Sequence, residues 1–119
     1  MRHAIGWALI ISSVLGIVTG AILGGRTSSG GHWVGGTTND TLGLMVLNWS
    51  RDGGDLRVAH FFALHAMQIL PVMAMLFFWL TPSMSANTSK RIIWLLAFAY
   101  SGFCILTLIQ ALSGAPFLR

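Results

Sequence analysis

A chain of 119 residues that is 55% hydrophobic and only 8% charged does not read as a water-soluble fold. Ordinary soluble domains are about a quarter charged, and a unit of this size has too little interior to hide so much apolar surface, so the bilayer is its natural solvent. The formal charge of +4 rests on seven basic and three acidic residues, which are too few for the clustered basic face of a nucleic-acid-binding protein. Basic residues at the ends of apolar segments instead set topology and meet lipid headgroups. The single cysteine, Cys104, excludes an intrachain disulfide and a cysteine-based metal site.

The first element runs from Ala4 to Gly24 and carries no charged residue. At about 1.5 Å per residue it crosses the roughly 30 Å hydrocarbon layer. Arg2 and His3 precede it, as in a signal peptide, but the apolar run is too long and no A-x-A site follows. It reads as the first transmembrane helix. Ala8, Ser12, Gly16, Gly20 and Gly24 recur every four residues along it, including two overlapping GxxxG motifs. Lipid tails are as apolar as leucine, so helices associate in a membrane where small residues let backbones approach. This glycine-zipper stripe is therefore expected to be a packing face, toward another helix of the chain, a second copy, or a flat cofactor or lipid.

Residues 25–57 form a long connection rich in Gly, Ser and Thr at its start. Within it, Asp40 is placed to cap a short helix over 41–49. Leu42, Met45, Val46 and Trp49 would then share one apolar face, which suits an amphipathic segment at the headgroup boundary. The run Arg51-Asp52-Gly53-Gly54-Asp55 breaks this element with turn residues. Asp55 is a good N-cap for the next helix. Residues 58–80 are the second transmembrane helix, with a kink expected at Pro71, whose ring frees the carbonyl of Met67. A polar turn over 81–89, then Lys90 and Arg91, lead into a third uncharged run over 92–112. Tyr100, Thr107 and Cys104 share a side of that third helix, which is expected to meet protein. Counting basic residues near the helix ends gives Arg2, Lys90 and Arg91 on one side against Arg26, Arg51, Arg57 and Arg119 on the other. The first helix and the tight Lys90–Arg91 pair place the N-terminus in the cytoplasm and the long loop outside.

The residues able to carry chemistry lie mostly on the second helix. His60 and His65 are five apart and point about 140° away from each other, so they do not grip one ion together. His65 shares a face with Phe61, Gln68 and Val72. A histidine and a glutamine in hydrocarbon require partners. Three roles are open to them. The first is hydrogen bonding across helices, to Tyr100 or Thr107. The second is axial ligation of a haem b or a chlorophyll-type pigment by His65. The third is a proton or solute pathway along His65 and Gln68. His32, Asp52, Asp55 and His60 are candidate ligands for a divalent metal at the outer face, although no standard ligand spacing is present. The simpler expectation for them is capping, turn chemistry and a surface pairing of Arg57 with Asp52 or Asp55. No Ser/His/Asp order, phosphate loop or paired membrane carboxylates support an enzyme.

The string W-S-x-x-G-G-D-L-R-x-x-H-F-x-x-L-H-A-x-Q-x-L-P is carried here by Trp49, Ser50, Gly53, Gly54, Asp55, Leu56, Arg57, His60, Phe61, Leu64, His65, Ala66, Gln68, Leu70 and Pro71. It resembles one found in uncharacterised bacterial multi-pass membrane proteins and covers about 23 of the 119 residues. The resemblance implies a bacterial inner-membrane setting and a special role for the loop-to-helix junction, and it brings no activity. Light-harvesting polypeptides are a poorer match, because the alanine four residues before their ligand histidine is replaced here by Leu56 and Phe61.

The expectation is an all-α integral membrane protein with one membrane domain over 1–119. It has three transmembrane helices and a long, partly structured loop between the first two. Its expected role is non-enzymatic, as a subunit or assembly component of a homo-oligomer or a larger membrane complex.

Overall fold

The computed structural model describes residues 1–27, 31–38 and 43–118, with only the backbone of Thr27. Three helices dominate it: α1 (Arg2–Thr27), α2 (Leu56–Leu80) and α3 (Ala86–Leu112). Each is long and apolar enough to cross a membrane. They run up, down and up, with α1 packed mainly along α2 and α3 closing the bundle. The molecule measures 52 × 25 × 20 Å.

All three helices extend beyond the uncharged runs, because caps rather than charges define their ends. Ser85 accepts a hydrogen bond from the Thr88 N–H at 3.2 Å, so α3 starts before Lys90 and Arg91 and carries both. Its other end closes as a Schellman motif. Gly114 adopts φ +77°, its N–H donates to Ala111 O at 3.1 Å, and the Ala115 N–H donates to Gln110 O at 3.2 Å. The second helix continues through Pro71.

The inward side of α2 is a run of small residues. Ala59, Ala63, Ala66, Leu70 and Ala74 are all buried. Of these, Ala66 and Leu70 pack with Ala8 and Ile11 of α1 and with Ala97 of α3 in the centre, and Ala74 packs with Ala4 and Ile93 toward the end that carries the N-terminus. Alanine-lined contacts bring helix backbones together and gain dispersion energy where burial alone gives none. On α1, Ala8 and Ser12 are buried. A methyl group added at Gly16 would meet Leu64 at 3.0 Å, and one at Gly20 would meet His60 at 3.1 Å. A methyl group added at Gly24 would meet nothing within 4 Å. On α3, Cys104 and Thr107 are buried, and Tyr100 donates its hydroxyl to Phe62 O at 2.8 Å.

The connection between α1 and α2 folds over one end of the bundle. Two short strands, β1 (Trp33–Val34) and β2 (Gly54–Asp55), pair antiparallel with Trp33 opposite Asp55 and Val34 opposite Gly54. The segment expected to be a short amphipathic helix is a turn over its described part, residues 43–49. Asn48 takes a left-handed φ of 53°, which a helix cannot continue through. The apolar face also divides: Trp49 is 5% exposed, whereas Met45 and Val46 are fully exposed. Asp40, Thr41 and Leu42, including the cap expected at Asp40, lie outside the described residues.

Candidate functional site

The loop-to-helix junction is a rigid cap built around Asp55. Its carboxylate is buried, at 2% exposure, and accepts from Ser50 N–H at 3.1 Å, Arg57 N–H at 3.0 Å and the Arg57 guanidinium at 2.7 Å. The expected N-cap is present, with a second partner for the helix start: Leu56 N–H donates to His32 O at 3.0 Å. Two of the orphan donors of α2 are thereby satisfied. The Arg57–Asp55 contact was expected as a surface pair. It is instead half enclosed, with the Arg57 side chain 29% exposed, and Arg57 also donates to Asn48 O at 2.7 Å.

Close approach explains the glycine pair. A methyl group at Gly53 would overlap the Gly35 carbonyl, and one at Gly54 would overlap the carbonyl of Ala111 at the end of α3. Beneath this, Trp49 meets Phe61, Phe62 and Phe117 edge-on or tilted, with centroids 5.3, 5.9 and 5.7 Å away. The cap therefore joins the loop, the start of α2 and the tail after α3. Sequence reasoning missed this aromatic cluster. Its components are scattered along the chain, and only Trp49 and Phe61 stand in the quoted motif.

The four candidate metal ligands do not converge. Asp52 accepts from Thr37 N–H at 2.9 Å, Thr37 Oγ1 at 2.8 Å and Ser50 Oγ at 3.0 Å. The backbone and hydroxyl bonds from Thr37, followed by that from Ser50, hold its carboxyl below the ordinary 3.8. Asp55 is taken by Arg57 and Ser50, and His32 lies against the Trp33 ring at 3.9 Å. His60 points between α1 and α2. Among the described residues no group of three or more His, Cys, Asp or Glu is placed to hold a metal ion; Asp52 and Asp55 are committed to capping and turn bonds and His60 to Thr19.

His60 and His65 have different surroundings. Thr19 Oγ1 lies 2.7 Å from Leu15 O and 3.3 Å from Gly16 O. Carbonyls only accept, so the hydroxyl proton is committed there and His60 Nδ1–H donates to Oγ1 at 3.0 Å. Thr19, one turn past Gly16, was not among the residues singled out in the sequence.

His65 lies 2.7 Å through Nδ1 from the carbonyl of Phe61, so that nitrogen also carries the hydrogen and Nε2 keeps its lone pair. Its ring stacks on Phe61 at 3.9 Å and 27°.

Phe61, His65, Gln68 and Val72 share one side of α2, about 180° from the alanine side. That side faces out of the bundle: His65 is half-buried and Gln68 is exposed, and further along, Met75 and Trp79 are 57% and 76% exposed. The expected bonds from His65 and Gln68 to Tyr100 or Thr107 do not form. The Tyr100 hydroxyl goes to Phe62 O, and Thr107 donates to Cys104 O at 2.8 Å. Gln68 is the thirteenth of the 25 residues of α2, its midpoint. Its carboxamide has no hydrogen-bond partner among the described residues. A polar group at mid-helix on the outer surface is the feature of this fold that a membrane penalises most.

Comparison with protein-family models, with curated proteins and with solved structures gives no match for this chain.

Proposed function

We propose that the protein is a non-enzymatic small subunit of an oligomeric membrane assembly, set in a bacterial inner membrane with its N-terminus cytoplasmic. It meets a second copy of itself through the outward side of α2. The carrying observation is Gln68. With α2 across a bilayer, its carboxamide lies about 18 Å from either helix end, in hydrocarbon that offers no hydrogen bond. An amide left unsatisfied there costs several kcal/mol. A carboxamide both donates and accepts, so it is complementary to itself. In a two-fold dimer with its axis along the membrane normal, the two Gln68 side chains meet at equal depth. His65, which presents an acceptor on the same side, supplies a further partner for the amide.

Disulfide cross-linking tests this. In a Cys104→Ala background, Val72→Cys, one turn from Gln68, is expected to form a dimer in the membrane on oxidation, and Leu106→Cys on α3 is not. Equal cross-linking at the two positions, or none at Val72→Cys, contradicts the proposed contact.

A second reading has its own support in His65. An axial histidine ligand to haem b or a chlorophyll-type pigment needs a free imidazole nitrogen and a hydrogen bond on the other that fixes the ring. The Phe61 carbonyl provides that bond, and Nε2 remains. This reading predicts a visible absorption band in protein purified from cofactor-replete cells, lost in His65→Ala. A colourless preparation ends it.

A further inference from the structure

The two ends of the bundle differ in how their charge is balanced: Arg26, Arg51 and Arg57 share their end with carboxylates, whereas the opposite end has cations alone. The three carboxylates of the chain, Asp40, Asp52 and Asp55, all belong to the connection between α1 and α2. The opposite end carries Arg2 and His3 at the start of α1 and Lys90 and Arg91 near the start of α3, all exposed. Neither Lys90 nor Arg91 makes an ion pair or hydrogen bond with a described residue. They belong to a shallow, open surface groove lined by Asn87, Lys90, Arg91, Trp94, Leu95 and Phe98. These residues follow one another at helical spacing, so the groove runs along α3, with polar groups at the helix start and apolar groups toward its middle. Trp94 and Phe98 stack at 5.8 Å and 30°. Trp7 of α1 packs edge-on against Trp94 at 4.6 Å, which holds that wall in place.

We infer that this groove binds an anionic phospholipid, independently of any contact through α2. The phosphate of one lipid sits between Lys90 and Arg91, with Asn87 able to donate to its oxygens. An acyl chain lies along Trp94, Leu95 and Phe98. The polarity of the groove follows the polarity of a lipid from headgroup to tail. The unpaired cations supply what a zwitterionic headgroup meets only in part. A peptide or nucleic-acid ligand would not use an apolar floor that lies inside the membrane span. A cation near a membrane surface favours an anionic lipid by roughly fivefold, and two cations on one phosphate act together.

The test uses the full chain in detergent micelles with equal amounts of phosphatidylglycerol and phosphatidylcholine, read by native mass spectrometry of the retained lipids. Phosphatidylglycerol is expected to be retained in at least roughly fivefold excess. Lys90→Gln with Arg91→Gln is expected to bring the ratio close to one. Arg51→Gln at the opposite end, and the charge-preserving Lys90→Arg, are expected to leave it unchanged. Inorganic phosphate is not expected to displace the lipid. Circular dichroism of each variant checks that its helix content is intact. Equal retention of the two lipids by the wild-type chain overturns the inference. So does a ratio that survives in a folded Lys90→Gln/Arg91→Gln protein, or displacement by free phosphate.

Discussion

His60 Nδ1 and Thr19 Oγ1 lie 3.0 Å apart across the interface of α1 and α2, at the level where Gly20 leaves room for the imidazole. The bond ties α2 to the thinnest part of α1 and takes His60 out of reach of the carboxylates in the cap. A side chain at position 20 has to displace the ring, because an added methyl group already lies 3.1 Å from His60 Cε1. Gly20→Leu is expected to destabilise the protein by about 1–3 kcal/mol through overpacking. Gly24→Leu, where an added methyl group would meet nothing within 4 Å, is expected to be close to neutral. Thermal unfolding of both variants in the same detergent measures the difference.

The cap rests on a backbone contact that tolerates no side chain. In Gly54→Ala the new methyl group would overlap the Ala111 carbonyl, pushing the end of α3 from the β1–β2 pair at a cost of about 1–3 kcal/mol. Asp55→Ala removes the acceptor of Ser50 N–H, Arg57 N–H and the guanidinium together. Each hydrogen bond to a charged group contributes about 1.5–3 kcal/mol, so the loss is expected to exceed that of Gly54→Ala. Proteolysis of the loop, followed over time, reads both.

Asp52 sets an acid limit on the same loop. Its folded pKa is depressed, chiefly by the backbone and side-chain bonds from Thr37. A depressed carboxylate contributes stability above its unfolded pKa and loses it as pH falls through the lower, folded value. The Thr37 amide is therefore expected to stay protected from hydrogen exchange at neutral pH and through the ordinary carboxylate range near 3.8, and to open only below it. In Asp52→Ala that acid transition at Thr37 is expected to disappear.

The bond from the Tyr100 hydroxyl to Phe62 O, at 2.8 Å, joins α3 to α2 within the membrane-length part of the bundle. Polar bonds between membrane helices average about 0.6 kcal/mol. Tyr100→Phe is expected to lower stability by that order and to leave the fold intact. A loss several times larger in equilibrium unfolding would show that the bond also orders the neighbouring Phe103 ring.

Much of the architecture was legible in the residues. Three uncharged runs gave the helices, and Asp55 gave the start of α2, because length and capping are local properties. Periodicity placed His65 and Gln68 on one side of α2 but could not say which way that side faces. In helices as apolar as these, hydrophobic residues lie both inside and outside the bundle, so the usual hydrophobic contrast is missing. The signal that settles it is Ala59, Ala63, Ala66 and Ala74 on the opposite side, where small size rather than hydrophobicity marks the interior. The turn over 43–49 was not legible. Trp49 is drawn away from Met45 and Val46 by rings at positions 61, 62 and 117, which no local pattern shows. Three of the metal candidates are drawn elsewhere for a related reason: Thr37, Ser50, Arg57 and Thr19 claim the polar atoms of Asp52, Asp55 and His60, and Thr37 and Thr19 are distant in sequence from the groups they bind.

Gln68, the amide at the centre of the outward side of α2, carries the proposed self-association. The direct measurement is the mass of the protein particle after gentle detergent extraction, for the wild-type chain and for Gln68→Leu. A chain of 12.9 kDa that self-associates through this amide is expected to appear as at least a dimer, and Gln68→Leu is expected to shift it to the monomer without loss of helix content. A wild-type monomer, or an oligomer unchanged by Gln68→Leu, contradicts it.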